Sequence, residues 1–169
     1  MGRVIMSGIV PTLKAPVTGI QAGTLAVGSV VKLMEGGAAV EYLVVNQGIP
    51  SNSSLYDSSC DGTWLLRKDI HSERQWAYSN DNVYTRSAIN TWLNGTFFNT
   101  LGSAEQAAVK QVKIPYCTGG GDTTINSGAN GLSVKAFLLG VYEVGWTTSD
   151  YSLFNVDGAK IVKGQTVIE

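Results

Sequence analysis

The sequence predicts an α+β domain in which strands and long loops predominate over helices. Only one long segment, residues 84–116, has helical periodicity, and the remainder consists of short apolar or β-branched runs between loops. The chain has 169 residues, of which 44% are hydrophobic, 15% are charged and 20 are glycine. This length is sufficient for one domain with a hydrophobic core, and low charge with abundant glycine is typical of a loop-rich, β-rich domain.

The N-terminal segment, residues 1–27, is predicted to be an extended arm. It contains Pro11 and Pro16, carries only two charged side chains, and sustains neither a period of 3.6 nor a period of 2. It is nevertheless too apolar for a well-solvated disordered tail. We therefore expect residues 1–27 to lie on another surface and residues 28–169 to form the domain; a flexible terminus is the alternative.

A β-hairpin and a third strand are predicted to follow the arm. The runs 29–33 and 40–45 are apolar and β-branched, and they flank the turn sequence Glu35-Gly36-Gly37. Residues 46–61 are rich in Ser, Asn, Gly and Asp, which predicts a long loop. The run Trp-Leu-Leu-Arg at 64–67 is predicted to be a short buried strand.

The helical segment is predicted to contain two helices. Thr85 or Ser87 can cap the first helix, and Asn94-Gly95 is expected to end it. The sequence Ser103-Ala-Glu-Gln106 matches a capping box for the second helix, which Pro115 would end. The first helix would pack through Ile89, Trp92 and Leu93, and the second through Ala107, Ala108, Val109 and Val112.

The C-terminal part is predicted to contain one central strand. Residues 117–131 are expected to be a long loop, whereas 135–141 is apolar on both faces and is predicted to be a covered strand. The expected core combines the third strand, the first helix and this central strand. Its residues would be Trp64, Leu66, Trp92, Leu93, Phe137 and Leu139.

Composition and motifs argue against several functional classes. The formal net charge is −1 without a basic patch, so no nucleic-acid partner is expected. No apolar run of about 18 residues is present, so no membrane insertion is expected. His71 is the only histidine and is expected to be a surface residue, while Cys60 and Cys117 are expected to be free thiols. No catalytic residue, metal site or cofactor is predicted.

Candidate ligand-binding residues lie in polar stretches that contain aromatic side chains. Aromatic rings in such positions can anchor a partner, or they can fill gaps under loops, and the sequence leaves both interpretations open. The candidates are Trp76, Tyr78, Asn80, Asp81, Tyr84, Trp146 and Tyr151.

Several short segments in the same order resemble a domain family of unknown function found in Gram-positive gut bacteria and their phages. They cover most of residues 28–145 and are V-V-K-L, V-E-Y-L-V-V-N-Q-G-I-P-S, L-Y-D-S-S-C-D-G-T-W-L-L-R-K-D-I, S-A-I-N-T-W-L-N-G-T-F-F, V-K-I-P-Y, S-G-A-N-G-L-S and K-A-F-L-L-G-V-Y-E-V-G. The resemblance implies a C-type-lectin-like fold with a mixed or antiparallel sheet, two short helices and long loops. The family's closing W-L-R-S-P and G-V-R-P motifs are not present in this chain. We therefore expect residues 157–168, or a strand of a neighbouring chain, to complete the sheet.

The resemblance implies a binding or display module rather than an enzyme. We expect a phage virion protein, assembled in the host cytoplasm, that mediates tail-associated binding to a host-surface glycan or protein. It would contact other virion proteins through residues 1–27 and form a homo-oligomer. The alternative is a structural head- or tail-decoration protein that binds only other virion proteins.

Overall fold

The computed structural model describes residues 19–50, 54–78, 82–119, 122–140 and 143, and these residues form an α+β structure with antiparallel sheets and short helices. Its regular elements are β1 (Val30–Glu35), β2 (Ala38–Gln47), β3 (Thr63–Arg67), α1 (Ala88–Trp92), α2 (Ser103–Ala108), β4 (Val112–Ile114), β5 (Tyr116–Gly119), β6 (Asp122–Asn126) and β7 (Leu132–Val134). No helix in these ranges is long and apolar enough to cross a membrane.

The predicted hairpin is confirmed as β1 and β2. The two strands pair antiparallel from Val30 opposite Leu43 to Glu35 opposite Ala38. Gly36 and Gly37 form the turn with φ of +58° and +81°. Two successive left-handed residues strongly favour glycine, and such a turn matches the twist of the strands.

The predicted third strand is also confirmed, and it pairs with β2 in the order β1-β2-β3. A bulge between Val44 and Asn46 shifts the register of this pair. Trp64 is buried in β3, with its ring 5.7 Å from Tyr56 and 5.1 Å from Phe137 in edge-on contacts. β3 thereby joins the sheet to the segments before and after it.

The first helix begins as predicted but does not end as predicted. The Ser87 side chain accepts a hydrogen bond from the Asn90 N–H at 3.1 Å. The chain then continues beyond Asn94-Gly95 through a π turn, Leu93–Phe97, and a 3-10 turn, Phe98–Thr100. Gly95 does not take the left-handed conformation of a helix C-terminal glycine.

The capping box predicted for the second helix is wrong. Gly102 is the N-terminal cap of α2 and makes no side-chain capping bond. The Glu105 carboxylate instead accepts a hydrogen bond from the Met34 N–H at 3.0 Å, and the Gly102 N–H donates to the Met34 carbonyl oxygen at 2.8 Å. The N-terminus of α2 therefore covers the outer edge of β1 rather than capping itself.

The second helix is also shorter than predicted. It ends at Ala108, and Ala107 and Ala108 are exposed rather than packed. Residues 112–114 form β4, which pairs with β7. The predicted loop 117–131 contains the β5–β6 hairpin, in which Gly119 adopts φ of +81°.

The predicted central strand at 135–141 is wrong. The strand β7 ends at Val134, residues 135–140 have no regular structure, and Leu138 is 46% exposed. The Asn94 side chain explains this ending, because its Oδ1 accepts from the Lys135 N–H at 2.8 Å and its Nδ2 donates to the Ala136 carbonyl oxygen at 2.9 Å. A side-chain amide thus takes bonds that a neighbouring strand would make.

The core has two parts, one on each face of the main sheet. The main core consists of Val45, Tyr56, Cys60, Trp64, Ile114 and Val134, and the second cluster consists of Val31, Tyr42 and Val44. The predicted core is confirmed in part, because Trp64 belongs to the main core and Leu66, Phe137 and Leu139 pack against it. Leu93 is buried but belongs to neither cluster, and Trp92 is only half-buried.

The predicted arm lies mainly outside the described residues, which begin at residue 19. Its last part contacts the domain. Leu25 packs against the second cluster, and the Gln47 Nε2 donates to the carbonyl oxygens of Ala22 and Leu25 at 2.9 and 2.8 Å. Residues 22–25 are therefore attached to the sheet.

Replacing Trp64 or Trp92 by Phe should lower the free energy of unfolding by different amounts, because their indole N–H groups have different surroundings. The Trp64 Nε1 donates to the Cys60 carbonyl oxygen at 3.1 Å, whereas the buried Trp92 Nε1 has no partner among the described residues. Trp64→Phe should lower the free energy of unfolding by about 1–3 kcal/mol more than Trp92→Phe, because only the former leaves a buried carbonyl unpaired. Urea unfolding of both variants measures this, and an equal or larger loss for Trp92→Phe would contradict it.

Candidate binding surface

Among the described residues, the most exposed aromatic side chains lie in the segment between β3 and α1, residues 68–83, which we call the aromatic loop. Trp76 is 43% exposed and Tyr78 is 88% exposed. The Trp76 backbone is fixed to α1, since the Ile89 N–H donates to the Trp76 carbonyl oxygen at 3.2 Å. One of these two exposed rings is therefore attached to a rigid element.

The Tyr84 ring packs against the Trp76 ring. Their ring centroids are 5.7 Å apart, with planes inclined by 34°. Tyr84 is half-buried, packs against the main core, and its hydroxyl accepts from the Leu138 N–H at 3.4 Å. Burial raises the pKa of the Tyr84 hydroxyl. Tyr84 thus connects the surface ring of Trp76 to the core.

The structure places three of the seven candidate residues. Trp76 and Tyr84 are in contact, and Tyr78 follows Trp76 by two residues on the same loop. Asn80, Asp81, Trp146 and Tyr151 lie outside the described residues. At the far end of the loop, Gly119 lies against the backbone of Asn82, where a Cβ would be 2.7 Å from the carbonyl oxygen.

A buried ionic cluster lies at the end of the hairpin. The Glu35 side chain is 6% exposed, and its two carboxylate oxygens lie 3.1 and 3.2 Å from the Arg67 Nε. The Tyr42 hydroxyl also donates to the Glu35 carboxylate, and the His71 Nε2 lies 3.7 Å from the Glu35 Oε1. Burial, and secondly the bond to Glu35, raise the pKa of the Tyr42 hydroxyl.

His71 is partly exposed, as expected for a surface histidine, but its ring is not free. It contacts the rings of Trp92 and Phe97 edge-on, with centroids 5.0 and 5.6 Å away. The Arg74 guanidinium lies 4.2 Å from the centroid of the Trp92 ring. The sequence analysis did not predict this cluster. The spacing offered one signal, because Val31, Leu33 and Glu35 alternate at the two-residue period of one strand face.

A second buried carboxylate lies beside the main core. Glu143 is 5% exposed; one of its oxygens accepts from the Tyr56 hydroxyl at 2.5 Å, and the other accepts from the Gly140 N–H at 2.7 Å. Burial raises the pKa of Glu143, and burial together with Glu143 raises the pKa of Tyr56. These bonds hold Gly140 and Glu143 next to the Tyr56 ring, which packs on Trp64.

An apolar cavity of about 880 Å³ borders all three strands of the main sheet and is called the β3 cavity here. All five residues of β3 line it, together with parts of α1 and of the segment 135–139. Cys60 also lines it, and neither Cys60 nor Cys117 forms a disulfide, as predicted. Across the described ranges, no group of three His, Cys, Asp or Glu residues could hold a metal ion.

A known protein family matches most of the chain. Residues 61–165, more than half of the chain, match the family described as a domain of unknown function, DUF6273. The chain belongs to this family. Within the described residues, the DUF6273 region begins just before β3 and includes everything after it. The match begins later than the resemblance at residue 28 and extends beyond residue 145, where that resemblance ended.

No curated protein and no solved structure is significantly similar to the chain. The match to DUF6273 confirms the prediction of a family of unknown function, and the antiparallel sheets and short helices confirm the α+β class. The described residues offer exposed aromatic rings, a buried ionic cluster and an apolar cavity.

The buried Glu143 predicts a pH dependence of stability. Because burial raises the pKa of Glu143, its neutral carboxyl stabilises the folded state fully below pH 4.5, the ordinary pKa. This stabilisation is lost as the pH rises through the pKa in the folded protein. Glu143→Gln cannot ionise, so its free energy of unfolding relative to the parent should increase from pH 4.5 to neutral pH. Urea unfolding across this range measures the difference. Glu73→Gln, on the exposed part of the aromatic loop, is the matched control, and the same trend in both variants would contradict the assignment.

Proposed function

We propose that this protein is a non-enzymatic binding protein of a phage virion that attaches to a host surface through its aromatic loop. The observation that carries the proposal is the exposed Trp76 ring, which is supported by Tyr84 and fixed through its backbone to α1. Tyr78 adds a second ring that is almost entirely in solvent.

The physical argument is preorganisation. A ring that is already held in place loses little conformational entropy on binding, so more of the contact energy appears as affinity. Trp and Tyr are also the residue types that most often dominate binding energies, because each offers a large apolar face and a polar group. Host-surface glycans and proteins both present surfaces that such rings can contact. In this proposal Asn80, Asp81, Trp146 and Tyr151 are further ligand contacts.

The remaining parts of the proposal rest on the arm and on the fold class. Antiparallel sheets, short helices and long loops support a C-type-lectin-like arrangement, in which loops carry the binding residues. The N-terminal arm, residues 1–27, would contact other virion proteins in a homo-oligomer located at the tail. Residues 22–25 lie on the sheet, so the partner contacts in this proposal come mainly from residues 1–21.

The test is a double substitution in the aromatic loop. Trp76→Ala with Tyr78→Ala should abolish adsorption of the protein to host cells, because both exposed rings are removed. The melting temperature should stay nearly unchanged, since these side chains contribute little to the core. Ile70→Ala is the matched control, because Ile70 is 91% exposed on the same loop. Co-sedimentation with cells measures adsorption, and circular dichroism measures melting.

Unchanged adsorption of the double variant would refute host binding through this loop. If the parent protein did not adsorb to cells but incorporated into virions, the structural decoration role would be favoured instead. A large drop in melting temperature would show that the two rings serve mainly to pack the loop.

A further inference from the structure

We propose that residues 159–163 of this chain add to the outer edge of β3 as a fourth strand of the main sheet. The two edges of this sheet differ in the described structure. Along β1, the edge is covered: Met34 exchanges hydrogen bonds with Gly102 and Glu105, and the Gly36 N–H donates to the Thr100 carbonyl oxygen at 2.8 Å. Along β3, no described residue covers the edge.

The direction of the main-chain groups of β3 follows from its register with β2. The Lys68 N–H donates to the Glu41 carbonyl oxygen at 3.1 Å, and the Gly48 N–H donates to the Gly62 carbonyl oxygen at 2.9 Å. Bonded pairs alternate with non-bonded pairs in an antiparallel ladder. The N–H and C=O groups of Thr63, Leu65 and Arg67 therefore point away from β2, and no described residue pairs with them.

The β3 cavity provides the space for another strand. Leu65 packs with the second cluster and Leu66 packs with the main core, so they lie on opposite faces of the sheet. Both line the same cavity of about 880 Å³, so apolar space adjoins β3 on each face of the sheet. Unpaired main-chain groups beside an apolar space are costly and readily accept a strand.

The occupant is assigned to the chain itself for two reasons. The DUF6273 match begins at residue 61, next to β3, and extends to residue 165, which is 165 − 143 = 22 residues beyond Glu143. These residues belong to the same domain as β3. Glu143 is bonded to Tyr56, whose ring contacts Trp64 of β3, so the chain passes close to the free edge.

The sequence and reach of the segment fit the cavity. Ala159-Lys160-Ile161-Val162-Lys163 begins 159 − 143 = 16 residues after Glu143, a distance that can span up to about 50 Å. Successive residues of a strand point to opposite faces. Ile161 and Val162 would therefore fill the space on the two sides of the sheet, and the two lysines would reach solvent at its ends.

Amide hydrogen exchange of the complete chain tests the proposal, with NMR detection at two protein concentrations. The Leu65 and Arg67 amides should be protected at both concentrations. Ile161→Pro removes a main-chain donor and should increase their exchange by about tenfold or more. The Val44 amide, which donates to Ser29 at 2.8 Å on the other side of β2, should remain protected and reports on folding. Asp150→Pro is the matched control outside the segment.

Three results would overturn the proposal. Rapid exchange of Leu65 and Arg67 in the parent would mean that the edge is open. Protection that disappears on dilution would assign the edge to a second copy of the chain. Protection that survives Ile161→Pro with unchanged rates would assign it to a different segment. If Ile161→Pro also loses protection at Val44, Ile161→Asp provides the same comparison without changing the backbone.

Discussion

The contact between Trp64 and its neighbours is the interaction on which the rest of the described structure depends. Its ring joins β3 to Tyr56 on one side and to Phe137 on the other, while its indole N–H binds the Cys60 carbonyl oxygen. Through Tyr56 the same contact extends to the buried Glu143. Segments that are separated by up to about half the chain thus meet at one side chain, and the aromatic loop begins just after the strand that carries it.

The parts of the fold that the sequence predicted are those with a local cause. The hairpin follows from two glycines between apolar runs, the first helix begins at a serine that caps it, and Trp64 occupies a short apolar strand. In each of these cases the residues that decide the structure are within a few positions of one another. Local propensity and local patterning are then sufficient.

The wrong predictions share a different cause, because distant partners overrode local patterns. The Glu105 carboxylate accepts a hydrogen bond from the Met34 N–H of β1 instead of capping its own helix. The Asn94 side chain bonds the main chain of Lys135 and Ala136, where a strand was predicted. The ionic cluster at Glu35 required knowledge of which residue faces Arg67. On the surface, the polar stretches with aromatic residues suggested Trp76, Tyr78 and Tyr84 as candidates. The contact between the Trp76 and Tyr84 rings could not be predicted from their spacing.

Both ends of the aromatic loop are attached to the domain, which determines which of its residues can change during evolution. On one side the loop starts from β3 and the bond network of Arg67, and on the other it is fastened by the Trp76 backbone bond to α1 and by the close approach of Gly119 to Asn82. The side chains of Ile70 and Tyr78 take no part in these anchoring contacts and are 91% and 88% exposed. Side chains such as Ile70 and Tyr78 can therefore be exchanged at small cost to the free energy of unfolding. The surface of the aromatic loop can therefore change in sequence while the domain remains folded.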